Sequence, residues 1–220
     1  MASRLKTLID LLHAPGDIAL ATHSTAVAGF PYATEVAFAT DEHHRPVLLI
    51  SRLAEHTQNL LADSRASLLV ARSLGDGEIA RASLVGNVVE IETPPLLVAR
   101  YLRFHPEAER FLQFGDFRFF RLDPLRIRVV GGFAQAGWLE GKQLIDAPFI
   151  LLEDEAHLIE SANSPLPDGI ALLGVDAYGV DYRTGDTRKR AVFKAGPVLA
   201  DAAQAALVRV LDTLRATHHA

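Results

Sequence analysis

The sequence predicts an α+β protein: an N-terminal β-barrel, closed or partly closed and flanked by helices, then a small C-terminal α/β domain. Three observations carry that prediction. Short strand-like runs recur through the first 131 residues with helical stretches between them, which suits a barrel better than a doubly wound parallel sheet. Several of those runs alternate with period two, as half-buried strands do. A second set of helices and strands begins near Pro148, which sets the domains at 1–145 and 149–217.

Taken in order, Leu5, Leu8, Ile9 and Leu12 fall at helical spacing, with Ser3 available as an N-cap. Pro15-Gly16 breaks that helix, residues 18–22 read as a strand and 25–30 as a turn. From Tyr32 to Thr40 the chain alternates, with Tyr32, Thr34, Val36 and Phe38 on one face and Ala33, Glu35, Ala37 and Ala39 on the other. The polar run 41–44 makes a solvated hairpin loop that returns through the apolar strand 47–50. A short helix over 54–63 and a strand over 65–72 follow. Gly75-Asp76-Gly77 then turns the chain into a long strand, 80–92, on which Arg81, Ser83, Val85, Asn87, Val89 and Ile91 share a face. Pro94-Pro95 opens a helix through Phe104 that stops near Pro106, and another turn or two reaches Phe114. Strands over 116–122 and 125–131 close the first domain. The second contains a helix around 149–161, a Pro-rich loop, and strands near 170–176, 178–183 and 187–193. Its last helix is striped by Leu207, Val210, Leu211 and Leu214.

Composition narrows the function classes. Over 220 residues, 49% are hydrophobic and 22% charged, ordinary values for a globular protein with a real core. A net charge of −5 without a basic stripe argues against nucleic acid and against general binding to anionic membranes. The absence of cysteine excludes disulfides, thiolate metal sites and redox thiols. No segment approaches the roughly 20 apolar residues needed to cross a bilayer, and no signal-peptide core opens the chain. A cytoplasmic protein is expected.

The most informative residues are Ser51, Arg52, His56, Thr57 and Asn59, placed where an apolar strand gives way to a helix. That junction can hold an anion, because the first helical N–H groups lack partners and guanidinium grips phosphate or carboxylate with paired hydrogen bonds. From local composition alone the same residues more often make a plain, solvated helix cap. Arg81, in a small and apolar strand, needs a counterion if its face is buried, either a cofactor anion or a carboxylate such as Glu35. Thr34 lies on the apolar face of its strand, and Trp138 follows a Gly131-Gly132-Phe133 bend where it can cover the core or border a flat ring. His43-His44 reads as solvated, and His105 follows a helix whose last carbonyls it can reach. No P-loop, Gly-x-Ser-x-Gly elbow, His-Glu-x-x-His motif or paired carboxylates appear, so a hydrolase is unsupported.

In the same order, Pro31–Thr34, Ser51–Asn59, Arg81–Gly86, Tyr101–Phe114 and Gly131–Trp138 resemble one family over residues 1 to about 145. It is the heme-utilisation branch of the pyridoxamine 5'-phosphate oxidase-like split-barrel proteins. The string Ser-x-Leu-Ala-x-His-Thr-x-Asn is the most specific part. Residues 150–217 resemble the small α/β domain often fused to that barrel, on Leu173–Asp181 and Arg190–Phe193. The resemblance implies a homodimer with two equivalent clefts at its interface, binding FMN, heme or both, and in some members releasing iron from heme. It implies that Thr34, Ser51, Arg52, His56, Thr57, Asn59 and Arg81 line the cleft, with Trp138 at its border.

One stretch departs from the family. Where the fused domain usually opens with a His- and Asn-rich motif, this chain reads Glu160 to Pro167 without histidine. Heme iron needs an axial donor, most often imidazole, and His218 or His219 near the chain end is the conceivable substitute. The expectation is therefore an FMN-binding oxidoreductase in which Arg52, Ser51 and Thr57 hold the phosphate and Arg81 steadies reduced flavin. Heme binding or oxidative heme breakdown is the alternative, and a non-catalytic dimeric binding protein the third reading. Catalytic residues are not assigned.

Overall fold

A computed structural model of the chain describes residues 2–14, 16, 18–75, 78–131, 136–162, 166 and 169–218. The chain divides into two compact units, Met1–Thr93 with Glu107–Ala147, and Pro94–Pro106 with Pro148–Ala220.

The first unit is built on one curled antiparallel sheet. Its strands are β1 (Ile18–His23), β2 (Pro31–Val36), β3 (Ala39–Thr40), β4 (Pro46–Ser51), β5 (Arg65–Gly75), β6 (Glu78–Glu90), β7 (Phe117–Gly131) and β8 (Ala136–Glu140). They run in the order β2-β1-β5-β6-β7-β4-β3, with β8 paired to β7. Directly opposed residues share a face, so the register defines two surfaces. Leu20, Leu68, Leu84, Ile127 and Leu139 are inward and almost completely buried. Helix α1 (Ala2–Leu12) packs across β5–β8 with Leu8, Ile9 and Leu12 buried, and α2 (Glu55–Ala62) packs on β1, β2 and β6. The helix begins at Ala2, so Ser3 stands inside it rather than at its cap.

The two expected strands 116–122 and 125–131 are a single strand. β7 stays paired to β6 along both halves, with its first half also on β4 and its second on β8. Pro124 cannot donate to a ladder and sits opposite Gly86 at a register shift, which absorbs it as an irregularity instead of a turn. Glycine is required there: a Cβ on Gly86 would lie 2.2 Å from the Asp123 carbonyl oxygen.

The 41–44 loop is not solvated as expected. His44 is fully buried at φ 61°, and its Nδ1 lies 3.0 Å from Nε2 of the buried His13 at the end of α1. His43 Nδ1 lies 3.1 Å from the Ile145 carbonyl oxygen. Asp41 closes the turn by accepting from the backbone N–H of His43 and of Arg45. A short helix at Gly141–Ile145, unexpected from the sequence, is held by a reciprocal capping box between Glu140 and Gln143.

In the second unit a three-stranded antiparallel sheet, β9 (Ile170–Asp176), β10 (Gly179–Thr184) and β11 (Thr187–Val192), is flanked by three longer helices. These are α3 (Pro95–Phe104), α6 (Leu152–Ala162) and α7 (Ala200–His218), numbered with the short helices Glu109–Leu112 and Gly141–Ile145 as α4 and α5. Glu155, 1% exposed, accepts from Arg100 Nη1, from Arg103 Nη2 at 3.0 Å and from the Val175 N–H at 2.9 Å. His105 stacks on Tyr101 with ring centroids 5.0 Å apart. In α7, Leu207 and Leu211 are buried, while Val210 and Leu214 are only half-buried. No helix among the described residues is long and apolar enough to cross a membrane.

Candidate functional site

The 51–59 segment folds as its sequence suggests: β4 ends at Ser51, the three residues Arg52 to Ala54 follow, and α2 begins at Glu55. Most of its polar groups are already committed to protein. Ser51 Oγ donates to Asp116 Oδ2 and accepts the Leu53 N–H at 3.1 Å. Arg52 Nη2 pairs with Glu90 Oε2 at 3.3 Å, and Arg118 approaches the same carboxylate at 3.8 Å. Two guanidinium groups against two carboxylates leave the cluster near neutrality, a poor setting for a dianion. Asn59 is a clamp: fully buried, it accepts from Thr25 N–H and Thr25 Oγ1, both at 2.8 Å, and donates to Thr22 Oγ1 at 3.0 Å. Thr57 Oγ1 and His56 Nε2 are buried with no hydrogen-bond partner. Burial holds the His56 imidazole below its ordinary pKa.

Arg81 stands elsewhere, and its surroundings correct the expectation that it lies on a buried face. It is exposed on β6, opposite Ala71 and Val130, and makes no ion pair among the described residues. Glu35 is no partner, being three strands away, roughly 14 Å at the usual strand spacing. Nor do Arg52 and Arg81 converge within one chain. Arg52 is tied to Glu90 at the other end of β6, about 30 Å of strand from Arg81. Thr34, half-buried on β2, donates at 3.5 Å to the Glu35 carbonyl oxygen.

Trp138 does not cover the core. It lies on β8 opposite Arg128, 44% exposed, with the guanidinium of Arg126 at 4.4 Å and that of Arg128 at 5.5 Å from its ring centroid. The register carries the same outward face across six strands, β2-β1-β5-β6-β7-β8. Arg81 with Val130, Ser83 with Arg128 and Trp138, and Val85 with Arg126 all stand on it. Beside them are exposed Leu69, Ile79 and Val85 and the small residues Ala19, Ala21, Ala33 and Ala71. A cleft of about 370 Å³ opens on this face between β1, β5 and β6, lined by Ala21, His23, Pro31, Ser67, Val85 and Asn87 among others. That volume falls in the range of small-molecule sites, about 300–1,000 Å³. His23, Arg126 and Arg128 were not anticipated. The Leu125-Arg126-Ile127-Arg128-Val129 alternation was the available signal, since period two puts both arginines on one face.

Gly132–Gln135, Asn163–Pro165, Pro167 and His219 lie outside the described residues, as does the side chain of His218.

Over 119 residues the chain is 40% identical to the non-canonical heme oxygenase HOZ, chloroplastic, of Arabidopsis thaliana, which covers 53% of this chain. The chain spans only 37% of that relative's length. A solved structure of a protein of unknown function from Agrobacterium tumefaciens str. C58 matches 95% of both chains at 23% identity with a TM-score of 0.77. The heme binding protein from Mycobacterium smegmatis matches 98% of both chains at 24% identity with a TM-score of 0.62. These two similarities establish the split-barrel fold. The family model described as CREG, beta-barrel, matches residues 10–145, which is most of the chain, and this chain belongs to that family.

Proposed function

We propose that the chain binds heme on the outward face of its barrel sheet, between two copies of itself. The observation that carries this reading is the composition of that face. A floor of small and aliphatic side chains lies next to three outward guanidinium groups, Arg81, Arg126 and Arg128, and the ring of Trp138. Arg81 and Arg128 have no carboxylate partner among the described residues, and Arg126 reaches Glu140 only at 3.8 Å. Heme has the matching two-sided chemistry, a flat apolar macrocycle edged by two propionates. The 40% identity to a heme oxygenase over 119 residues supports the same ligand.

Within this reading the arginines neutralise the propionates, the aliphatic floor excludes water from the macrocycle, and His23 offers the imidazole that iron needs. Bound heme would supply iron and its oxygen chemistry; this chain's residues hold and orient it. His23 replaces the chain-end His218 or His219 as the favoured ligand because it lines the cleft. Leu69, Ile79 and Val85, at 39%, 50% and 44% exposure, leave apolar surface open on this face. A twofold homodimer covers that surface.

Titrating the protein with ferric heme and following the Soret band tests the reading. Saturation at one heme per chain, with the band shifted or weakened by His23→Ala and unchanged by His218→Ala, is expected. A Soret band that never saturates ends the heme assignment.

FMN is the second reading, favoured by one observation, the partnerless buried Thr57 Oγ1 and His56 Nε2. Against it, Asp116 and Glu90 already occupy Ser51 and Arg52. A protein that purifies yellow and retains flavin through dialysis would make FMN the better assignment.

A further inference from the structure

The second unit has a cleft of its own, independent of the barrel. It has a volume of about 690 Å³ and lies between α7 and the β10–β11 side of the small sheet. Its walls are apolar: Ala191, Phe193 and Val198 from the sheet and its following loop, and Ala206, Val210 and Leu214 from α7. Leu207 and Leu211 turn the other way and are fully buried. Val210 and Leu214 are half-buried and line the cleft. Lys194 and Arg209 also line the cleft, and neither has an ion-pair partner among the described residues. The neighbouring acid on α7, Asp212, is taken by Arg215 at 3.0 Å.

An apolar trough with two uncommitted cations selects a ligand with an apolar body and an anionic end. We propose that this cleft binds a fatty acid, with the hydrocarbon chain along Phe193, Val198, Val210 and Leu214 and the carboxylate held by Lys194 and Arg209. The volume suits such a ligand, being well inside the usual range for small-molecule sites. A phosphate or nucleotide suits it less well, because beyond these two cations and the hydroxyls of Tyr182 and Thr213 the lining is apolar. A second copy of the chain would also bury the apolar walls, but it would leave both cations to be desolvated without a counter-charge.

The test uses the full-length protein and dodecanoate, with dodecanol as the uncharged control. Calorimetric titration is expected to show saturable binding of one dodecanoate per chain, with dodecanol weaker by about tenfold or more. Lys194→Ala with Arg209→Ala should reduce dodecanoate affinity by a similar factor and leave dodecanol unchanged. Val210→Trp, which fills the trough, should abolish binding of both while the Soret titration with heme stays as in the parent. Circular dichroism establishes that each variant is folded, and Lys194→Arg, which keeps the charge, should retain binding. Equal affinity for acid and alcohol, or undiminished binding in the double alanine variant, overturns the proposal. So does a concentration-dependent dimer that Val210→Trp dissociates, since the trough would then belong to a second copy.

Discussion

Asn59 shows how a side chain expected to touch a cofactor can be spent on the fold. All three of its side-chain hydrogen bonds go to the 22–25 segment, and it has no exposed surface. Asn59→Ala strands Thr25 N–H and Thr22 Oγ1, and should cost about 2–3 kcal/mol in a urea denaturation experiment. His56 supplies a pH dependence whose sign follows from its burial. Its folded-state pKa lies below 6.5, so at mildly acid pH the unfolded chain binds the extra proton. Its contribution is fully present above pH 6.5, declines as the pH falls below that, and levels off beneath the folded value. His56→Gln should flatten this part of the stability-versus-pH curve; an unchanged curve would show that the burial is not felt. Asp41 acts in the opposite sense, since burial raises its carboxyl above 3.8 and acid then favours the folded state in that window.

At the scale of elements, the long strand β7 organises the barrel and the Glu155 cluster organises the second unit. Gly86→Ala would drive a methyl group into the Asp123 backbone at the bulge, and a loss of about 3 kcal/mol is expected by denaturation. Glu155→Gln removes the carboxylate hydrogen-bonded to Arg100, only 2% exposed, with an expected loss of about 3 kcal/mol by denaturation. Most strands and helices were legible because period-two and 3.6-residue patterns record which face is buried. The 116–131 region was misread because Asp123-Pro124 has the local chemistry of a turn, and only the partner strand, through Gly86, reveals a bulge. His44 was misread for a similar reason: its partner His13 is 31 residues away, and no local signal marks it. Ser51 and Arg52 were correctly placed at a strand–helix junction, but the acids that engage them, Asp116 and Glu90, come from other strands.

For the whole molecule, the outward sheet face decides between readings. If it pairs two copies, sedimentation equilibrium will give a dimer, and Val85→Asp, placing a charge on this face between Ser67 and Arg126, will give a folded monomer. A monomeric parent protein would remove the shared-groove part of the account. The central claim is that the arginines of this face, rather than the 51–59 segment, hold the acidic edge of heme. The most direct measurement compares ferric-heme affinity in Arg128→Glu and Arg52→Glu by Soret titration at fixed salt. The account predicts a loss of about tenfold or more for Arg128→Glu and little change for Arg52→Glu. The reverse order would contradict it, moving the ligand to the strand–helix junction of β4 and α2.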